Sequence, residues 1–444
     1  LKTFLSVFLG GTLNARLHSL SFLDLSSNRF EEIIDDGFRP FPQLKTLSLY
    51  SNQIEVIHKN AFLSLKELMS LDMSHNRIIY LDPSVFEMNK RLQTVDLSHN
   101  HIHFINGVFA NLPQLREVFL SENNILELPS NAFTNSTNID VIYLESNAIR
   151  HIDPNVFNSL SNLEQLYLRA NFIPQIPVTM LDKTLLLTSL SLDDNQIQDL
   201  EIGMFRKLEH LREVRLHNNR IRKISRGVFH PLPALLELHL QKNSIQEIEN
   251  SAFASLTNLQ HINLQDNQIA SIENIFPEGN ASGPSSLLSV QLNTNVLTKL
   301  NPNAFSKQEK IQIMWLSENR LTRIDRHLFK NLKQLERVFL SNNLITEIEA
   351  DAFATIKELR FLDLSSNRLR TVHKEYFSSI RDLEELNLSN NLIETIESHS
   401  FNLLKKLKVL DLSSNPLIQI TKDIFQVRIN LTYLVLNDLL KNFV

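Results

Sequence analysis

An asparagine returns about every 24 residues along almost the whole chain, and this spacing restricts the fold more than any other feature. The series comprises Asn28, Asn52, Asn76, Asn100, Asn123, Asn147, Asn171, Asn195, Asn219, Asn243, Asn267, Asn295, Asn319, Asn343, Asn367, Asn391 and Asn415. A fixed period of this size indicates a stack of structural repeats. Because the series is unbroken, it favours one array over the several domains that a chain of 444 residues would otherwise suggest.

Each asparagine closes an apolar frame, which is clearest in the repeat that contains Leu47 and Leu49. These leucines are two residues apart, the period of a β-strand, so both face inward while Ser48 faces solvent. Asn52 follows the strand, and its amide can donate and accept hydrogen bonds where backbone groups of the turn need partners. A phenylalanine closes nearly every coil, as Phe38, Phe62, Phe86, Phe109, Phe133, Phe157, Phe205, Phe229, Phe253, Phe276, Phe305, Phe329, Phe353, Phe377, Phe401 and Phe425, and Leu181 replaces it once.

This pattern resembles the leucine-rich repeats of extracellular animal proteins such as Toll-like receptor ectodomains, Slit-type guidance proteins and chaoptin. The Asn-x-Ile-x-x-Ile form, as in Asn52 to Ile57 and Asn243 to Ile248, is most similar to a chaoptin-type array. The resemblance covers Leu20 to about Leu436. It implies an α/β-type solenoid, a right-handed leucine-rich-repeat horseshoe with a parallel β-sheet on the concave face and mostly irregular or 3-10 segments on the convex face.

We predict a single solenoid over residues 1–444, with a continuous sheet of about 17 or 18 strands. Residues 1–19 form a degraded first coil, because Phe4 stands at the asparagine position. Residues 20–436 hold about 17 full repeats plus a partial last one, and residues 276–286 are an insertion loop. Relatives usually carry disulfide-bonded caps, and this chain has no cysteine, so we interpret it as a fragment of a longer array or a chain without caps.

Several classes of function are disfavoured by the composition. The net charge is -5 with mixed signs and no dense basic run, so no nucleic-acid partner is expected. No apolar run is long enough for membrane insertion of this segment. Nothing in the sequence buries or orients a catalytic base, so we expect no enzyme activity and no cofactor. Asp72, Asp96, His75 and His99 could approach a metal ion, but they form no closed ligand set and we expect none.

Four sequons mark candidate glycosylation sites at Asn135, Asn280, Asn387 and Asn430. Chance would supply about as many, so the extracellular assignment rests on the resemblance instead. The insertion at 276–286 contains Asn280 and admits two interpretations, a tolerated flexible loop or a binding element. We expect a glycan on Asn387 to exclude a broad partner from the last strands.

Function is expected at the outward strand positions, since the inward ones are committed to the core. Two aromatic clusters interrupt an otherwise polar column there, and they give the candidate partner-binding residues Phe119, Tyr143, Tyr167, Trp315, Phe339 and Phe361. The first three lie on consecutive strands about 4.8 Å apart, so their rings should form a ladder. Charged residues surround this first cluster at Arg116, Glu117, Glu122, Glu145, Glu164 and Arg169. The rings are either interface anchors or neighbours that pack on one another without a ligand.

The resemblance implies a non-catalytic protein-binding ectodomain at the cell surface, as part of a longer anchored or secreted protein. The chaoptin resemblance implies cell adhesion, with a second copy as one candidate partner. The Toll-like resemblance implies ligand recognition by an innate-immune or signalling receptor. A structural extracellular scaffold is a third interpretation.

Overall fold

The computed structural model describes residues 17–273, 275–276, 286–301, 304–305, 307–418, 420, 422–425 and 431–436. The chain divides into two compact units, Leu1–Asn219 (unit 1) and Arg220–Val444 (unit 2). Most of the predicted degraded coil at 1–19 and of the insertion at 276–286 lies outside the described residues. Asn280 and Asn430 lie outside them as well. The single solenoid over the whole chain stays a prediction.

Unit 1 is a solenoid in which each coil contributes one three-residue strand to a parallel sheet. Its described part contains nine such strands, at Phe22–Asp24, Thr46–Ser48, Ser70–Asp72, Thr94–Asp96, Glu117–Phe119, Val141–Tyr143, Gln165–Tyr167, Ser189–Ser191 and Glu213–Arg215. The register repeats from coil to coil, with Leu47 opposite Leu71 and Leu71 opposite Val95. The predicted parallel-sheet solenoid is thereby confirmed for this unit.

Unit 2 repeats the same arrangement. Its described part also contains nine three-residue strands, at Glu237–His239, His261–Asn263, Ser289–Gln291, Ile313–Trp315, Arg337–Phe339, Phe361–Asp363, Glu385–Asn387, Val409–Asp411 and Tyr433–Val435. In both units the middle residue of nearly every strand is buried, while the first and third residues point out. We call the surface formed by these first and third residues the strand face.

A second set of shorter strands, which was not predicted from the sequence, follows the asparagine in several coils. Each spans two residues and pairs in parallel with the equivalent segment of a neighbouring coil, as Ile33 with Ile57. In unit 1 they are Glu32–Ile33, Val56–Ile57, Glu127–Leu128 and His151–Ile152. In unit 2 they are Lys223–Ile224, Glu247–Ile248, Arg323–Ile324, Glu347–Ile348, Thr371–Val372 and Thr395–Ile396. The second isoleucine of the Asn-x-Ile-x-x-Ile form lies in such a strand at Ile57 and Ile248.

Turns and bends connect the strands, and a 3-10 helix lies at Lys422–Phe425. None of the described residues belongs to a helix with the length and apolar character needed to cross a bilayer.

The coil-closing phenylalanines form a buried stack inside each unit. In unit 1 the ring centroids of Phe38 and Phe62 are 6.0 Å apart and those of Phe109 and Phe133 are 5.9 Å apart, with nearly parallel planes. In unit 2 the corresponding distance between Phe329 and Phe353 is 5.8 Å. Offset stacking at this distance adds to the stabilisation that burial alone provides.

The recurring asparagine ties adjacent coils together. The Nδ2 group of Asn147 donates to the carbonyl oxygens of Leu120 at 2.9 Å, Leu144 at 3.2 Å and Glu145 at 3.3 Å. Its Oδ1 accepts a hydrogen bond from the Ile125 N–H at 3.0 Å. Leu120 and Ile125 belong to the preceding coil, so this one amide joins two coils and leaves no buried polar atom of its own without a partner.

The same contacts recur along the asparagine ladder, but its members differ in burial. Asn147 is 6% exposed, whereas Asn243 is half-buried and Asn28 is exposed. Asn243 still donates to the carbonyl of Leu240 at 3.0 Å, and its Oδ1 accepts from the Ile221 N–H at 3.0 Å. The predicted hydrogen-bonding role is confirmed, and the burial of the side chain varies along the ladder.

The residue before each ladder asparagine adopts the left-handed conformation, with φ between 53° and 57° in all seventeen cases although none is glycine. Ser146, for example, has a φ of 55° and donates its N–H to the carbonyl of Arg169 in the next coil at 2.9 Å. This conformation costs roughly 1 kcal/mol for an L-residue. In most coils the N–H of this residue donates to a carbonyl of the next coil, which helps to hold the conformation.

Candidate functional site

Several outward strand residues serve the fold rather than a ligand. Asp96, the third residue of its strand, accepts hydrogen bonds from the Ser98 N–H at 2.9 Å and from Ser98 Oγ at 2.6 Å. The same capping of the residue two positions later occurs at Asp24, Asp72, Asn263, Asp363, Asn387 and Asp411. We call these side chains the turn caps. One side-chain oxygen of each turn cap accepts a hydrogen bond from the turn, so these polar residues stabilise the fold.

Phe119, Tyr143 and Tyr167 occupy the turn-cap position of three consecutive coils in unit 1. Their ring centroids are 4.6 Å and 5.0 Å apart, with planes 7° and 5° from parallel, so the predicted ladder of rings is present. All three side chains are half-buried. Because the rings stack face to face, they offer mainly their edges to solvent, and an aromatic edge carries partial positive charge.

Acidic groups lie close to this aromatic ladder. Ser121 Oγ donates to Glu145 Oε2 at 2.6 Å, yet burial raises the pKa of the Glu145 carboxyl. Burial, together with Tyr167, Glu117 and Glu145, also raises the pKa of the Tyr143 hydroxyl. Oη of Tyr167 donates to Oε1 of Gln165 at 2.8 Å.

The basic residues predicted around the ladder are already paired. Arg169 Nε lies 2.8 Å from Asp194 Oδ2 and 3.2 Å from Asp193 Oδ2. Arg116 lies 3.6 Å from an oxygen of Asp140. Glu117 and Glu145 therefore give the ladder a net acidic surrounding, where the sequence had suggested a mixed rim.

The second cluster lies on the strand face of unit 2. The rings of Trp315 and Phe339 stack at 5.7 Å with planes 4° from parallel, and Phe339 lies 4.8 Å from Phe361 at a tilt of 40°. Ile313 is half-buried at the first position of the same strand as Trp315. We call Ile313, Trp315, Phe339 and Phe361 the unit 2 patch. Trp315, Phe339 and Phe361 are thus neighbours on adjacent strands, as predicted.

Arg337 was missed by the sequence analysis, although it lies within the unit 2 patch. Its guanidinium carbon is 4.6 Å from the ring centroid of Phe361 and 5.6 Å from that of Phe339. Arg337 stands directly opposite Phe361 in the parallel register. The repeat spacing held this signal, because Arg337 and Phe361 are about 24 residues apart.

The aromatic residues stand where the fold would benefit from an acid. Phe119 precedes Ser121 by two residues, and Phe339 precedes Ser341 in the same way, which is the spacing of Asp96 and Ser98. A hydrocarbon ring cannot accept the hydrogen bond that a turn cap accepts. These coils therefore forgo a local stabilising contact and expose apolar surface instead.

The predicted absence of a metal site at Asp72 and Asp96 is compatible with their local contacts. Both carboxylates accept hydrogen bonds from the following serine. The rings of His75 and His99 stack at 4.0 Å, and His99 Nδ1 lies 2.8 Å from Glu122 Oε2. These contacts hold the groups in a turn rather than around a common centre.

In unit 1, carboxylate oxygens of Asp193 and Asp194 and a ring nitrogen of His217 lie within 4.8 Å of one another. The guanidinium of Arg169 contacts both carboxylates. One guanidinium thus offsets part of the negative charge of the two carboxylates.

Two candidate glycosylation sites fall within the described residues. Asn135 is exposed, with a φ of 62°, and its Nδ2 donates to Asn111 Oδ1 at 2.9 Å. Asn387 lies on the strand face, and its Oδ1 accepts from the Ser389 N–H at 3.0 Å. Glycans at both sites stay predictions.

The family model described as Leucine rich repeat matches residues 18–78, 66–125, 113–173, 186–245, 234–278, 309–369 and 358–417. These matches together cover most of the chain. A comparison with curated proteins found no match.

Solved structures show the same fold at low identity. A leucine-rich-repeat protein of Leptospira interrogans is 22% identical over 93% of this chain and 94% of its own, with a TM-score of 0.66. The plant peptide hormone receptor RGFR1, solved in complex with RGF2, is 20% identical over 95% of this chain and 74% of its own, with a TM-score of 0.65. A chain of the Drosophila Toll–Spatzle complex is 19% identical over 91% of this chain and 72% of its own, with a TM-score of 0.65.

Proposed function

Because the chain belongs to the leucine-rich repeat family, we propose that it is a non-catalytic ectodomain that binds a protein partner through the aromatic residues of its strand faces. The observation that carries this proposal is the placement of Phe119, Tyr143 and Tyr167 at the turn-cap position. An acid there stabilises the turn of other coils, so rings at the same place favour a surface role. Half-exposed aromatic anchors beside charged groups are typical of interface hot spots.

Two forms of this function are supported by different observations. The repeat form favours adhesion between cells, with a second copy of the chain as the partner. The structural likeness to a peptide hormone receptor and to a chain of the Toll–Spatzle complex favours recognition of a separate peptide or protein ligand. Either form implies that the chain lies outside the cell, as part of a longer anchored or secreted protein.

Self-association distinguishes the two forms. We expect replacement of Phe119, Tyr143 and Tyr167 by serine to weaken adhesive self-association by at least about 2 kcal/mol, the scale of a lost hot spot. Analytical ultracentrifugation and bead aggregation of the parent and the triple variant measure this change. A parent that stays monomeric and whose beads do not aggregate would reject the adhesive form and leave ligand recognition.

A matched control uses apolar side chains of unit 1 that lie away from the strand face. Ile79, Phe104 and Ile202 are 51%, 45% and 65% exposed, and their replacement by serine removes a similar number of apolar groups. We expect this control to associate as the parent does. Equal loss in both triple variants would indicate nonspecific adhesion and contradict the proposal.

A further inference from the structure

Arg337 is an outward cation without a carboxylate partner among the described residues. Its side chain is exposed, and its guanidinium contacts the rings of Phe361 and Phe339. Arg215 holds the third position of a strand in unit 1, and its Nε lies 2.6 Å from Glu213 Oε1. The two arginines therefore differ. Arg215 is paired with a carboxylate of its own strand, whereas Arg337 contacts aromatic rings and its charge is not offset.

The rings of Phe361 and Phe339 hold the Arg337 guanidinium in an orientation that suits an anionic group. A guanidinium over an aromatic face keeps its planar fork of N–H donors directed outward, while the ring limits its rotation and covers one side. A carboxylate can take two parallel hydrogen bonds from that fork. Beside Trp315 and Phe339 the water is partly displaced, so such a pair is stronger than one in open solvent.

We propose that the unit 2 patch with Arg337 binds a partner segment that presents a carboxylate side chain next to an aliphatic or aromatic one. The carboxylate pairs with Arg337, and the apolar neighbour packs on Ile313, Trp315 and Phe339. This inference rests on the proposed function, because it assigns a chemical class of partner to one of the two aromatic surfaces. The ladder of unit 1 is flanked by Glu117 and Glu145 and does not select for such a segment.

Trp315 is the only tryptophan of the chain, so its fluorescence reports occupancy of this patch without labelling. The probe is an acetylated, amidated octapeptide of alternating aspartate and leucine. The comparison peptide has asparagine in place of every aspartate. We expect saturable changes in Trp315 emission, with the aspartate peptide binding at least about tenfold more tightly and losing affinity as salt increases.

Substitutions locate the effect on one side chain. We expect Arg337→Gln to remove the preference for the aspartate peptide, and Arg337→Lys to retain part of it because the charge remains without the fork. Arg326→Gln is the matched control. Arg326 is exposed and does not belong to the strand face, and its Nε lies 3.5 Å from Oε2 of Glu349. Thermal melts of the three variants should coincide with that of the parent, as is usual for surface substitutions.

The inference and the proposed function fail in different ways. Equal binding of both peptides by the parent, or an unchanged preference in Arg337→Gln, would overturn the role of Arg337. If Phe339→Ser then still weakened both peptides, the patch would remain a binding surface and the proposed function would stand. If no peptide changed Trp315 emission, the acidic-apolar class would be rejected, while the triple serine variant of unit 1 would still test the proposed function.

Discussion

The strand ends at Asp72 and Asp96 and those at Phe119 and Tyr143 occupy one structural position in successive coils, but they serve different purposes. The two acids bind the turn that follows them. The two rings stack on each other at 4.6 Å and stay half-exposed. The difference shows that the fold depends on the core residues of the repeat. The turn-cap position tolerates either an acid that stabilises the turn or a ring that forms an exposed surface.

The largest expected effect is a difference in the free energy of unfolding between a core substitution and a substitution in the aromatic ladder. Leu120 is fully buried, next to the outward Phe119. Leu120→Ala should lower the free energy of unfolding by about 3 kcal/mol because it leaves a cavity. Phe119→Ala should cost about 1 kcal/mol or less, mainly lost stacking. Urea denaturation of both variants tests this, and similar costs would mean that the ladder belongs to the core.

The asparagine ladder should give the next effect, with size set by burial. Asn147→Ala leaves buried backbone groups of two coils without a partner and should cost about 2 kcal/mol. Asn28→Ala should cost a few tenths of a kcal/mol, because water replaces the lost contacts of an exposed side chain. Equal costs in denaturant melts would contradict the dependence on burial.

A smaller effect should follow from exchanging the two kinds of strand end. Asp96→Ala removes the acceptor of two hydrogen bonds and should cost about 1 kcal/mol. Phe119→Asp recreates the Asp-x-Ser spacing with Ser121, so the new turn cap should offset the lost stacking and keep stability within about 1 kcal/mol of the parent. Thermal and urea melts measure both. A much larger loss in Phe119→Asp would show that the rings, not the acids, hold that part of the sheet.

The smallest effect depends on pH and involves Glu145 beside the ladder. Burial raises the pKa of its carboxyl above the ordinary value of 4.5, so the folded protein disfavours the charged form. The penalty is absent below the unfolded pKa, grows as pH rises from the unfolded pKa to the folded pKa, and is complete above the folded pKa. Glu145→Gln should therefore stabilise the protein at about pH 7 and lose that advantage at about pH 4. Melts at both pH values test the sign, and a gain of equal size at both would assign it to another cause.

Much of the fold could be predicted because the same apolar and asparagine positions recur in nearly every repeat. Leu47, Leu49 and Asn52 recur with their spacing intact, and the 24-residue period alone places Phe119 beside Tyr143. The left-handed residue before each asparagine could not be predicted, since residues as different as His75, Ala170 and Lys242 adopt it under contacts from the next coil. The period reveals neighbours well and backbone conformation poorly.

The candidate site could be predicted only in part for a related reason. Sequence patterning marks aromatic residues, but the state of a charged side chain depends on partners across strands. Arg169 and Arg337 look alike in the sequence, yet the first contacts two carboxylates and the second lies over two rings. The Asp-x-Ser spacing of several turn caps is visible in the sequence, but the hydrogen bonds that these acids make to the following turn were not predicted.

The direction of the asparagine contacts bears on how such a chain can gain or lose length. Asn171 donates to Leu144 of the coil before it and accepts from Ile149, while Asn147 makes the equivalent bonds to Leu120 and Ile125. If residues 124–147 were deleted, Leu120 would take the place of Leu144 and the bond to Ile149 would remain. Each coil supplies the same donors and acceptors to its neighbours. Whole repeats can therefore be duplicated or removed in one genetic step, because the asparagine hydrogen bonds between the newly adjacent coils form again.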